Sequence, residues 1–178
     1  MANETSFPTI YSQGILELAG NIPRQGRLKA PGATAKAHSK LCGSTVIVDL
    51  TMEDGRVVDF AHEVRACALG QAAASIMARN VIGSTGEELR ALREQVRAML
   101  KEHGPPPQGK WAAIALLEPV RDFKARHAST LLTFEAAADC VDQIETAAAQ
   151  GAWRSAGRSE AAPVEGIGND NASREVVP

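Results

Sequence analysis

Cysteine is scarce and odd in number, three among 178 residues, and the start of the chain lacks the basic and apolar regions of a secretory signal. A disulfide framework is therefore not expected, and metal binding, sulfur chemistry or plain burial remain as uses for Cys42, Cys67 and Cys140. Excess positive charge is missing too. With a net charge of -2 the chain has no cluster of Lys and Arg to neutralise phosphates, which excludes nucleic acid as a partner. No apolar run approaches the roughly 20 residues that span a bilayer. The expectation is a cytoplasmic protein with no membrane partner. Signatures for a Ser-His-Asp triad, a phosphate loop or a dinucleotide fold are also absent, so an ordinary hydrolase, kinase or dehydrogenase is not expected.

What is present is enough apolar material, 44% of residues, for one proper core. Its organising stretch is Leu41 to Met77. Thr45 to Thr51 and Arg56 to Phe60 are rich in β-branched residues, and Asp54-Gly55 between them is a hairpin signal. Cys42 and Cys67 then lie at the same end of the hairpin. From Ala68 onward Leu69, Ala72, Ala73, Ile76, Met77 and Val81 recur at helical spacing. A thiol at a helix start sits near the positive end of the backbone dipole, so Cys67 is expected to ionise more easily than Cys42.

Around this unit, Ile10 to Ala19 reads as a modest amphipathic helix, Asn21 to Gly26 as a turn, and residues 27–40 as one irregular strand leading into the hairpin. Ser84 and Glu87 have capping-box spacing ahead of a helix over Thr85 to Glu102, with Leu89, Leu92, Val96, Met99 and Leu100 inward and pairs such as Glu94 with Arg97 outward. His103 to Gly109 is a stiff exposed loop, Trp111 to Leu117 a short apolar helix, Glu118-Pro119 a joint, and Asp122 to about Gln150 a long final helix. Cys140, between Asp139 and Val141 and outside any motif, reads as a small apolar structural residue. Composition after Gly151 is poor in large apolar residues, which cannot offset their ordering entropy. The expected architecture is α+β: a three-stranded antiparallel sheet packed against four to five helices on one face, over residues 1–154, with a disordered tail over 155–178.

The chain resembles the U-type iron-sulfur cluster assembly scaffolds, the IscU, SufU and NifU N-terminal kind, over roughly residues 7–150. The resemblance rests on Tyr11 with Asn21, Pro23, Arg24 and Gly26, on Cys42-Gly43, on Asp54-Gly55, on Cys67-Ala68-Leu69 with Ala72 and Ser75, and on Arg126 to Phe134. It implies a non-enzymatic protein that works with a cysteine desulfurase and with cluster-acceptor proteins. It also implies that three cysteines and an aspartate hold a nascent iron-sulfur cluster, or zinc in its place.

Two of those four positions are changed. The family's Cys-Gly-Asp is here Cys42-Gly43-Ser44, and its third cysteine is Ser129; the Gly-x-Gly before the second cysteine is Val64-Arg65-Ala66, a stiffer approach. Iron in a cluster and zinc both want about four ligands drawn from thiolate, imidazole or carboxylate, and a serine hydroxyl stays protonated near pH 7. Cys42 and Cys67 thus make half a site. The rest must come from His127, the first candidate, from His38, His62, Asp59 or Glu63, from a second molecule, or from a partner. Of these, His62 reads as a partly exposed strand histidine, and His103 as solvent-facing. Three functions follow: a scaffold that holds iron, a cluster or zinc transiently through Cys42 and Cys67; a metal-free interaction protein of cluster assembly; or a sulfur-transfer protein with Cys67 as persulfide acceptor.

Overall fold

The Asp54-Gly55 pair turns the chain as its composition demands. In the computed structural model, which describes residues 10–158, these two have φ of 49° and 73°, the pair of positive values that a two-residue type I′ turn needs. They join β2 (Thr45–Glu53) to β3 (Arg56–Arg65). Ala33–His38 forms β1 on the other side of β2, and the sheet is antiparallel in the order β1-β2-β3. Residues 27–40 therefore hold a regular strand, and β3 runs on to Arg65, beyond the expected end at Phe60.

Period-two alternation gives the sheet two unlike faces. Across the inner face lie Ala33, Ala35 and Ala37 of β1, Leu50, Val48 and Val46 of β2, and Phe60, His62 and Val64 of β3. All but the half-buried Val64 are buried, and the apolar ones join a single core with the helices. The outer face carries Lys36, Ile47 and Glu63 in one row and Thr34, Asp49 and Ala61 in the next. Asp49 is wholly buried there, because Arg27 pairs with it at 2.7 and 2.9 Å while the Leu28 N–H and the Thr34 hydroxyl donate to it at 2.9 and 2.6 Å.

The helices are α1 (Gln13–Gly20), α2 (Ala68–Asn80), α3 (Gly86–Lys101), a 3₁₀ helix (Gly109–Asp122) and α4 (Lys124–Arg158). α2 is alanine-rich because it is buried nearly all round, every residue from Ala72 to Ala78 being inaccessible. α3 is capped by Thr85, whose hydroxyl accepts from the Glu88 N–H at 3.1 Å, not by Ser84. The box shifts by one residue because the Ser84 hydroxyl is engaged elsewhere, donating to the Asn80 carbonyl at 3.4 Å and accepting from Lys110 Nζ at 2.8 Å. Glu94 and Arg97 pair at 3.2 Å as their spacing implies.

Trp111 to Leu117 is not a separate short helix with a joint at Pro119. One 3₁₀ helix runs through Pro119 to Asp122, burying Trp111, Ile114, Leu117 and Val120. Their strict three-residue spacing matches the three residues per turn of that helix, so all four fall in one line. The preceding loop is exposed at His103 as expected, but Pro107 is buried. Residues to Thr146 form one compact unit. The expected boundary at 154 falls inside α4, and residues 159–178, most of the expected tail, lie outside the described residues.

Candidate functional site

Between β1 and β2 the loop from Ser39 to Ser44 is closed by its own backbone. The Ser39 N–H donates to the Ser44 carbonyl and the Gly43 N–H to the Ser39 carbonyl, both at 2.9 Å, and Gly43 turns the chain with a φ of 70°, which glycine adopts without strain. Cys42 is exposed as a residue, yet its Sγ lies 3.3 Å from Ser39 Oγ and 3.1 Å from Ser44 Oγ, both buried serines. The hydroxyls of Ser39 and Ser44, and to a lesser degree that of Ser129, hold the Cys42 pKa down to about 7, against a smaller opposing effect of burial. Cys42 is thus a thiol held low by its neighbours. As a thiol Cys42 donates to both serine oxygens; once ionised it accepts from the same hydroxyls, which favours the thiolate.

Cys67 sits at the junction of β3 and α2 as the N-cap residue, with extended backbone and no side-chain cap bond. Its Sγ lies 3.5 Å from Ser129 Oγ. Ser129 is buried in the second turn of α4, where its hydroxyl donates to the Arg126 carbonyl at 3.0 Å. Gly70 makes this meeting possible. A Cβ built there would lie 2.9 Å from the Ser129 carbonyl and 2.7 Å from Ala66 Cβ, closer than side-chain atoms tolerate, so the glycine lets the backbones of α2 and α4 approach each other. Cys42, Ser44, Cys67 and Ser129 thus converge, with Ser129 touching both sulfurs' surroundings.

The remaining candidates stand apart. His127 is buried, and its Nε2–H is shared between the Val120 and Arg121 carbonyls at 3.1 and 3.0 Å, closing the end of the 3₁₀ helix. His62 is fully buried, not partly exposed. It shares strand parity with Phe60 and Val64, the signal that marks it as inward; its Nε2–H donates to the Pro23 carbonyl at 2.9 Å, and Nδ1 has no partner. His38 and Glu63 are exposed on the outer sheet face, and Asp59 is exposed with its carboxylate on the Phe60 N–H at 2.8 Å. Cys140 is core: its thiol donates to the Val48 carbonyl at 3.4 Å and burial pushes its pKa up to about 12. Among the described residues no group of three or more His, Cys, Asp or Glu is placed to hold a metal ion.

Compared with known proteins, residues 10–130 match the NifU-like N terminal domain, a stretch that contains both thiols and both serines. The chain belongs to that family. It is 27% identical over 138 residues to the iron-sulfur cluster assembly scaffold protein IscU of Thermotoga maritima, covering 78% of this chain and 96% of the relative. A crystal structure of a NifU-like protein (N-terminal) from Brucella abortus is 64% identical with a TM-score of 0.77, over 78% of this chain and 96% of that one. A putative SUF-system scaffold from Fervidobacterium islandicum, 19% identical, has the same fold, with a TM-score of 0.70 over 76% and 99% of the two chains. In this NifU-like chain the convergent donors are two thiols and two hydroxyls. Such a set does not complete a four-ligand site, because a neutral hydroxyl is a poor match for iron or zinc.

Proposed function

We propose that this protein is an iron-sulfur cluster assembly scaffold, non-catalytic like its relatives, in which Cys42 and Cys67 hold the cargo. The cargo is iron or a nascent cluster, with zinc able to take its place. The observation that carries the reading is the convergence of Cys42 and Cys67 on the Ser129 hydroxyl, in a chain that belongs to the NifU-like N-terminal family. In this role Cys42, with a pKa of about 7, offers a thiolate near neutral pH without a base beside it. Cys67 supplies the second sulfur from the start of α2, while Ser39 and Ser44 carry hydroxyls within hydrogen-bond reach of the Cys42 sulfur. Sulfur comes from a cysteine desulfurase, and the cargo leaves to acceptor proteins. No helix among the described residues is long and apolar enough to cross a membrane.

Anaerobic purification with iron, zinc and sulfide analysis tests the reading, with Cys67→Ala as control. Competition with a chromogenic chelator extends the test to zinc. The wild type is expected to bind weakly and the Ser44→Asp, Ser129→Cys double variant more tightly by orders of magnitude, since a complete site supplies about 10 to 16 kcal/mol and half a site far less. Equal weak binding by both, with no iron or sulfide in the purified wild type, favours the metal-free interaction protein instead.

A further inference from the structure

We infer that Cys42 and Cys67 form a redox-active dithiol that exchanges with low-molecular-weight disulfides, Cys42 attacking and Cys67 resolving. The inference goes beyond the scaffold reading and does not rest on it, since no metal takes part. Placement carries it. β2 and β3 stop pairing at Thr45 opposite Arg65, and the two cysteines stand three residues before the one and two after the other, so the chain brings both to one end of the sheet. There both side chains meet the Ser129 hydroxyl, Cys67 Sγ at 3.5 Å and Cys42 as a further hydrogen-bond partner. Ser129 directs its own proton to the Arg126 carbonyl, so it meets the thiols with an oxygen acceptor and brings no sulfur. With Cys140 buried in the core on the Val48 carbonyl, Cys42 with Cys67 is the one pairing open to the three cysteines of the chain. Two thiols among neutral hydroxyls suit a reaction in which sulfur alone makes and breaks bonds.

Access divides the labour between the two. Cys42 is exposed on the Ser39 to Ser44 loop, where an incoming disulfide has room, whereas Cys67 is half-buried against the core, sheltered from a bulky reagent but beside its neighbour. In the first step the Cys42 thiolate bonds to one sulfur of the small disulfide, whose S–S bond breaks and whose other half leaves as a thiolate. In the second, the Cys67 thiolate attacks the Cys42 sulfur of that mixed disulfide, closes the Cys42–Cys67 bond and releases the remaining half. Two protein thiols are oxidised and one small disulfide is reduced to two thiols, with the protons of Cys42 and Cys67 passing through solvent to the leaving thiolates.

The test treats the full chain, reduced and freed of metal by a chelator, with oxidised glutathione near neutral pH, and follows acid-quenched, alkylated samples by intact mass and peptide mapping. Wild type is expected to lose the mass of two hydrogens, to yield a peptide bridging Cys42 and Cys67 within one chain while Cys140 stays free, and to return to the dithiol with dithiothreitol. Cys67→Ser should stop instead with one glutathione on Cys42. Cys42→Ser should lose the bridge and take glutathione on Cys67 more slowly than Cys42 takes it in the other variant. A wild type that accumulates the Cys42 adduct as fully as Cys67→Ser, or that bridges Cys42 only between chains, would overturn the inference and leave the scaffold reading untouched. Adduct formation faster on Cys67 than on Cys42 would overturn the assigned order of attack.

Discussion

Cys42 carries serine hydroxyls within hydrogen-bond distance of its sulfur. At Cys42 the thiol donates to serine oxygens beside it, and the same hydroxyls can donate to the thiolate, so ionisation is favoured by hydrogen bonds. The expected outcome is alkylation by iodoacetamide that rises with pH to half its maximum near pH 7, the pKa set chiefly by Ser39 and Ser44. Ser39→Ala and Ser44→Ala should each move that midpoint upward and slow the reaction at pH 7, as peptide mapping by mass spectrometry would show. An unmoved midpoint in both variants would mean the hydroxyls do not set it. Ser129 differs from the other two, since its one proton is already directed to the Arg126 carbonyl.

Where α2 meets α4, one missing methyl group sets the distance between the two halves of the site. Gly70→Ala puts a Cβ 2.9 Å from the Ser129 carbonyl oxygen and 2.7 Å from Ala66 Cβ, and overpacking of this kind costs about 1 to 3 kcal/mol. The cost should register as a lowered urea midpoint with unchanged slope, and in the Ser44→Asp, Ser129→Cys background as weaker zinc binding than Gly70 allows. Nothing in the sequence pattern announces this contact, because a glycine in an alanine-rich helix looks like a weak helix residue until its neighbour is known. The hairpin was legible from Asp54-Gly55 and its β-branched flanks, and the two thiols from their positions beside it. Less local features were not. The Arg27–Asp49 pair joins residues from separate elements, and Asp49 inside a β-branched run carried no sign of burial. The 3₁₀ helix was not legible because Pro119 reads as a helix stop, whereas the apolar residues of this stretch repeat every third position and keep one line through it.

Across the folded molecule, acid is expected to act first through His62. Burial holds its pKa below the ordinary 6.5, only partly offset by its bond to the Pro23 carbonyl. The unfolded chain takes up a proton near pH 6.5 and the folded chain only lower down, so the unfolded state binds more protons in that interval. Stability is therefore full above about pH 6.5 and declines as the solution is acidified below it. Asp49 acts further down: burial opposes its ionisation, but Arg27, Thr34 and the Leu28 N–H outweigh that and hold its pKa below the ordinary 3.8. Its contribution is present above that value and is lost as the pH falls through the lower folded pKa. Calorimetric melts between about pH 6.5 and pH 5 should thus show a falling Tm, and His62→Gln, which keeps an amide donor for Pro23, should flatten the decline. A slope unchanged by the substitution would assign the acid sensitivity to another group.

The 3₁₀ helix also acts as a ruler. Its 14 residues rise about 2.0 Å each, so it spans roughly 28 Å where an α-helix of the same length would span about 21 Å. Relatives that wind this segment as α-helix must add about five residues to reach the same end point, the one His127 closes. Segment length and the every-third-residue apolar row are therefore expected to change together among homologues. An insertion of a single residue should be tolerated in the preceding proline loop but not between Trp111 and Val120, where it would turn the rest of the row by about a third of a turn.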